Sequence, residues 1–208
     1  MCDIDEGRRP TVAGAVGSDS PEQAATGVAT VHLMVGLPAA GKTARARELA
    51  DQHGALRLTP DEWMIPLFGE PEADGKRDVL EGRLLWTAMS VAASGLDVVV
   101  DFGLWNRDER SALRWLFTTV GADCRIEYLD VDTPTQLARI RQRAAHMPED
   151  TFEIGAAELE ASRAVFDVPD AAELAGGPVP EPPAGYSTWA AWAATRWPSF
   201  PDTGLTPG

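Results

Sequence analysis

Cysteine is nearly absent from this sequence: Cys2 and Cys124 are the whole supply in 208 residues, too few for a disulfide framework or a thiolate metal site. Histidine is as scarce, and His32, His53 and His146 share no ligand spacing, which argues against a zinc or iron centre. No apolar run approaches the roughly 20 residues that a membrane helix requires. The N-terminus opens on acids instead of a basic stretch leading into an apolar one, so export is not expected. Positive charge is short as well. Lys+Arg 18 against Asp+Glu 32 give a formal net charge of -14, a surface that repels a phosphate backbone and makes long nucleic acid an unexpected partner. Together these absences suit the reducing cytoplasm, with no membrane partner and no indication of a protein partner.

What remains is 44% hydrophobic and 24% charged, enough apolar material for one compact domain. Residues 1–28 carry no sustained apolar period and are expected to be a disordered arm. The domain itself is expected over 29–175, followed over 176–208 by a Pro/Gly-rich linker and a tail bearing Trp189, Trp192 and Trp197. The spacing of these tryptophans suits a short amphipathic helix packed back on the domain, since three solvent-facing indoles are unusual.

Between the ends, apolar runs alternate with helical periods. Strands are predicted at Thr30 to Val35, Ala55 to Thr59, Val98 to Val100 with Asp101 at its end, and Cys124 to Val131. Helices are predicted from Lys42 to Gln52, from Lys76 to Ser94, after an Asn106/Glu109 capping box, from Thr133 and from Ala156 to Phe166. The fourth of these is read as opened by a Thr133 cap with Gln136 as its reciprocal partner. Strands alternating with helices of this length imply an α/β, three-layer fold on a parallel sheet of four to five strands. Sites are then expected beyond the carboxyl ends of the strands. Asp167 to Pro183, where a fifth strand belongs, is rich in Pro, Ala and Gly.

The strongest motif is Gly36-Leu37-Pro38-Ala39-Ala40-Gly41-Lys42-Thr43, a full G-x-x-x-x-G-K-T between a strand and a helix. The glycines let the backbone N–H groups curl around a phosphate at the positive end of a helix. Lys42 is expected to bridge the β- and γ-phosphates of ATP and Thr43 to hold Mg²⁺. Asp61, just past the second strand, is placed to take a proton from an acceptor hydroxyl; the alternative is that it caps the turn or the helix after Pro60. Asp101 and Asp130 both end strands and both suit the surroundings of Mg²⁺, with Asp101 favoured for the loop that follows it. In that loop Trp105 and Arg107, with Trp63 beside Asp61, are expected to line the acceptor pocket. Arg139 and Arg143, four apart on one helix, are expected to clamp the transferring phosphate, or else to pair with the acidic surface.

These residues, with Asp101-Phe102-Gly103, Trp105, Arg107 and Arg110, resemble the P-loop kinases grouped among AAA-type ATPases, which are similar to chloramphenicol phosphotransferase, zeta toxin and the kinase domain of polynucleotide kinase. The resemblance covers about residues 30 to 168 and implies a nucleoside-kinase-like P-loop NTPase fold. It also implies ATP as donor, Mg²⁺, a base matching Asp61 and lid arginines matching Arg139 and Arg143. It names no acceptor. A small-molecule kinase is the leading expectation. A nucleic-acid-end kinase would need a basic groove that the composition hardly supplies, and a slow ATPase acting as a switch is a third reading.

Overall fold

The structure, a computed structural model, describes residues 27–70, 73–146 and 156–201, without the side chains of 143–146 and 156–158. The expected N-terminal arm therefore lies almost wholly outside the described residues.

The hydrophobic runs become a four-stranded parallel sheet of order β2-β3-β1-β4. Its strands are β1 (Thr30–Val35), β2 (Leu56–Leu58), β3 (Val98–Gly103) and β4 (Asp123–Tyr128). The fold class read from the sequence stands. β1 and β3 lie at the centre of the sheet, and both are buried almost throughout, as a parallel strand covered on two faces must be. β3 runs three residues past its valine triplet, so Asp101 lies within the strand and Gly103 ends it.

Helices cover the sheet: α1 (Lys42–His53), α2 (Asp61–Phe68), α3 (Lys76–Ala93), α4 (Arg107–Thr119), α5 (Thr133–His146), α6 (Ala156–Val165), the short α7 (Ala171–Leu174) and α8 (Trp189–Arg196). The Asn106 side chain accepts from Asp108 N while Glu109 returns to Asn106 N, so the capping box read from the sequence opens α4. The start of α5 is different from its reading. Asp132, and not a Thr133–Gln136 pair, receives Thr135 N at 2.7 Å, because Gln136 is fully buried and turned to another task.

Asp167 to Pro183 holds no strand; the chain forms α7 and an irregular run beside β4. Trp189 and Trp197 are both 1% exposed and belong to the main core with Leu85, Ala88, Leu113 and Phe117. The tail is thus built into the domain. Each indole finds an acceptor, Trp189 Nε1 donating to Pro180 O and Trp197 Nε1 to Glu81.

The run after α6 is tied in by a buried ion pair. Arg110, fully buried on α4, donates from Nε and Nη2 to the two oxygens of Glu173 at 2.9 and 3.1 Å. Its Nη1 donates to the carbonyls of Leu104 and Trp105. Leu104 sits at φ 31, a left-handed conformation that costs a side-chain-bearing residue about 1–3 kcal/mol. The buried pair therefore holds the strained β3–α4 loop in place. Removing one partner leaves the other charge unpaired in the interior, so Glu173→Ala is expected to lower stability by about 3–5 kcal/mol. In chemical denaturation, the double change Arg110→Met with Glu173→Leu should recover much of that loss, because no charge is then stranded.

Candidate active site

The G-x-x-x-x-G-K-T segment leaves β1, turns and becomes the first turn of α1. Its turn depends on two glycines. Gly36, at φ 152, lies so close to the segment after β4 that a Cβ would sit 2.7 Å from Leu129 O, and Gly41 takes the N-cap position at φ 105. Ala39 also has positive φ, at 59°, in a position where a small side chain limits the strain. The helix N-terminus suits an anion: Gly41 supplies no side-chain cap, and no acidic residue occupies the first turn of α1. Lys42 folds back over the loop and donates to Gly36 O at 2.8 Å and Leu37 O at 2.9 Å. An ammonium group held there sits at the mouth of the backbone cradle where a phosphate would lie. Thr43 follows as the second helical residue, half-buried.

Two further helices support the loop from outside. Gln136 Nε2 donates to Pro38 O at 2.7 Å, and Arg139 Nη1 donates to Ala39 O at 3.1 Å and Ala40 O at 2.9 Å. Arg163 on α6 holds Gln136 Oε1 at 2.7 Å and Val131 O at 2.9 Å. Arg139 is therefore at the phosphate loop, as its spacing suggests, but its guanidinium serves the loop carbonyls. Arg143 lies one turn further along α5, and its side chain is outside the described residues.

The carboxylates gather at the ends of the neighbouring strands. Asp61 opens α2 just past β2, and its side chain, 68% exposed, accepts from Arg77 Nη2 of α3 at 2.8 Å. The N-cap of α2 is Pro60 and no side chain caps it, so Asp61 is not engaged in the capping bond that was its structural alternative. Asp101 is buried at the end of β3 and receives Arg57 Nη1 at 2.9 Å. Burial pushes its carboxyl above the usual range; Arg57 and Lys42 pull it back, and Asp61 pushes it up again. Asp101 therefore feels the charges of both Lys42 and Asp61. Asp130, the other aspartate considered for the metal, is exposed and accepts from Tyr128 OH.

Trp105 is half-buried, with its indole against the end of β3. A Cβ on Gly103 would lie 3.4 Å from Trp105 Nε1 and 3.7 Å from Lys42 Cε, so indole and lysine flank the same glycine. Trp63 stands exposed on α2 with Ile65, Leu67 and Phe68, an apolar surface two residues from Asp61. Arg107 is directed elsewhere: it pairs with Asp170 at 2.9 Å and lies 3.9 Å from Glu173.

Sequence reasoning missed Arg57 and the pair Arg77 and Glu81. Arg57 is the central residue of β2 and pairs with both Asp101 and Glu62; a guanidinium between Leu56 and Leu58 in a covered strand was the available signal. Burial raises the Glu62 carboxyl, yet Arg57 and Arg47 outweigh it and hold Glu62 below the usual range. Glu81 stands on the apolar face of α3 and Arg77 precedes it by four residues, a spacing that marks an ion pair.

A phosphate-binding loop after the first strand of a β2-β3-β1-β4 parallel sheet, with Asp61 just past β2 and Asp101 within β3, defines a P-loop kinase-like α/β fold, a class built to bind nucleotides. The chain belongs to the AAA domain family AAA_33, whose profile matches residues 31–169. Among solved structures it is similar to a candidate kinase from Chloroflexus aurantiacus, at 20% identity over 75% of this chain and 86% of that chain, with a TM-score of 0.57. It is similar to a chain of the Pnkp1/Rnl/Hen1 complex at 15% identity over 62% of this chain and 44% of that chain, with a TM-score of 0.50. A sugar kinase from Janibacter sp. HTCC2649 aligns at 18% identity over 70% of this chain and 81% of that chain, with a TM-score of 0.47. At these identities the likeness is one of fold. No curated protein matches the sequence. No helix among the described residues is long and apolar enough to cross a membrane.

Proposed function

We propose that the protein is an ATP-dependent phosphotransferase that moves the γ-phosphate of Mg-ATP to a hydroxyl of a small molecule, an antibiotic, nucleoside or sugar-like compound. The observation that carries this reading is the placement of Asp61. It is a solvent-facing carboxylate just past β2 whose charge bears on Asp101, with no capping role to explain it.

In the reaction the acceptor oxygen bonds to the γ-phosphorus as the bond from that phosphorus to the β–γ bridging oxygen breaks, and ADP leaves. Asp61 orients the hydroxyl and receives its proton. Lys42 turns its ammonium from the Gly36 and Leu37 carbonyls toward the β- and γ-phosphate oxygens. Backbone N–H groups of the loop, of which Pro38 supplies none, hold the β-phosphate. Thr43 and Asp101 would hold magnesium, which would supply positive charge against the phosphate oxygens. The Thr43 hydroxyl, next to Lys42 in the chain, and the Asp101 carboxylate, which feels the Lys42 charge, are hard oxygen donors of the kind such an ion takes. Arg139, with Arg143, closes on the transferring phosphate once it releases the loop carbonyls. Trp63 and Trp105 offer apolar walls for the acceptor. Arg107, paired to Asp170, takes part only after that pair opens. The low cysteine content and acidic surface suit a cytoplasmic enzyme whose partner is a small molecule.

The test is incubation with Mg-ATP and a panel of aminoglycosides, amphenicols, nucleosides, sugar nucleotides and short 5′-hydroxyl oligonucleotides, with products scored by mass. One small-molecule class gaining a single phosphate is the expected outcome. Phosphate on the oligonucleotides alone would move the assignment to nucleic-acid ends, and release of inorganic phosphate alone would leave a slow ATPase.

A further inference from the structure

The C-terminal helix lies far from the phosphate loop in sequence, yet its polar contacts lead toward Asp61. Arg77 uses adjacent donors of one guanidinium edge for two carboxylates: Nη2 to Asp61 Oδ1 at 2.8 Å and Nε to Glu81 Oε1 at 3.2 Å. The other oxygen of Glu81 accepts from the Trp197 indole at 3.0 Å and lies 3.9 Å from Arg196. Arg196 is in turn held by Glu109 of α4 at 2.8 Å and Asp78 of α3 at 2.6 Å. Asp61 is exposed at one end of this chain of contacts, whereas Glu81 and Trp197 are buried at the other. The buried end therefore fixes the position of Arg77.

The docking that makes this possible depends on Gly82. A Cβ there would fall 2.5 Å from Ser199 Oγ, 2.8 Å from Phe200 N and 3.2 Å from Ser199 C, and two of these atoms are backbone. Ser199 also donates to Val79 O, and Phe200 meets Trp86 edge-on. α3 is thus shaped to receive the chain end next to the carboxylate that holds Arg77.

We propose that the C-terminal segment tunes the acceptor side of the site: Trp197 holds Glu81, Glu81 holds the Arg77 guanidinium, and Arg77 sets the orientation of Asp61. This rests on the reading of Asp61 as the base. Trp197, Glu81 and Arg77 are positioning residues in it. Burial pushes Glu81 up to about 7, against the pull of Arg77, the Trp197 indole and Arg196, while Glu109 adds to the rise. When Glu81 is ionised it anchors the Arg77 guanidinium in the orientation that meets Asp61. When Glu81 is protonated that anchor weakens, and the Asp61 carboxylate is less firmly oriented.

The experiment uses the full chain labelled with ¹⁵N at its tryptophan indoles, with Trp197→Phe to assign the signal. The Trp197 indole signal should titrate with a midpoint near pH 7. Asp61→Asn should shift that signal, and the shift should vanish in an Arg77→Met background. Mg-ATP turnover with water as acceptor should rise through the same pH range in the unaltered protein. Trp197→Phe should move that limb upward by about half a unit, through loss of the bond that favours the charged form, and Gly82→Ala, which displaces the tail by another route, should do the same. Glu81→Gln should abolish the limb. An indole signal indifferent to Asp61→Asn in folded protein would overturn the inference and leave the phosphotransferase reading intact. An intact coupling with turnover unaffected by Asp61→Asn would remove Asp61 from the chemistry, and both readings with it.

Discussion

Lys42→Met should lower phosphoryl transfer by at least about 10³-fold, equivalent to about 4 kcal/mol of lost transition-state stabilisation. The substitution keeps the aliphatic stem that rests beside Gly103 and removes only the ammonium held by the Gly36 and Leu37 carbonyls. Those carbonyls sit at the half-buried mouth of the loop, where water replaces the lost donor, so the fold should survive. Nucleotide affinity should fall less than the rate, by about 10- to 100-fold, because the backbone cradle and the α1 N-terminus remain. Turnover assays paired with calorimetric ATP titrations separate the two effects. Equal losses in both would mean that Lys42 binds the nucleotide without favouring the transition state.

Asp61→Asn should reduce turnover by about 10²–10⁴-fold, the usual contribution of a positioned general base, with ATP affinity unchanged. The amide retains the size of the carboxylate and can still meet Arg77, but it accepts no proton. Because Asp61 is two-thirds exposed and forms no capping bond, stability should change by less than about 0.5 kcal/mol. A structural role predicts the opposite pattern: a loss of roughly 1 kcal/mol, as for a removed helix cap, with turnover preserved. Thermal melts and rates measured on one preparation distinguish the two.

The parts of this site that were legible in the sequence are those encoded locally. The phosphate loop is one continuous motif, the flanking strand and helix are short-period patterns, and the Asn106/Glu109 box spans four residues. Asp61 and Asp101 could be placed because a parallel sheet brings its strand ends to one edge. The supporting pairs were not legible, since their partners are distant in the chain: Arg57 and Asp101 are 44 residues apart, Arg110 and Glu173 63, and Trp197 and Glu81 116. Gln136 shows how a local rule yields to a tertiary one. Three residues after Thr133 it fits a capping box, yet Asp132 takes the cap and frees Gln136 to hold the loop carbonyl of Pro38. α2 was hidden for a related reason, because Pro66 stands inside it and argues for a loop until Met64 is seen buried beneath.

The measurement that bears most directly on the account follows the γ-phosphate itself. The full chain and its Asp61→Asn variant would each be incubated with Mg-ATP labelled at the γ-phosphorus and a mixture of small hydroxylated metabolites. The label would then be apportioned among ATP, inorganic phosphate and all other compounds. The account predicts label in a phosphorylated small molecule with the unaltered protein and its near-complete loss with Asp61→Asn. Label confined to ATP and inorganic phosphate, or a phosphorylated product formed equally well by both proteins, would contradict it.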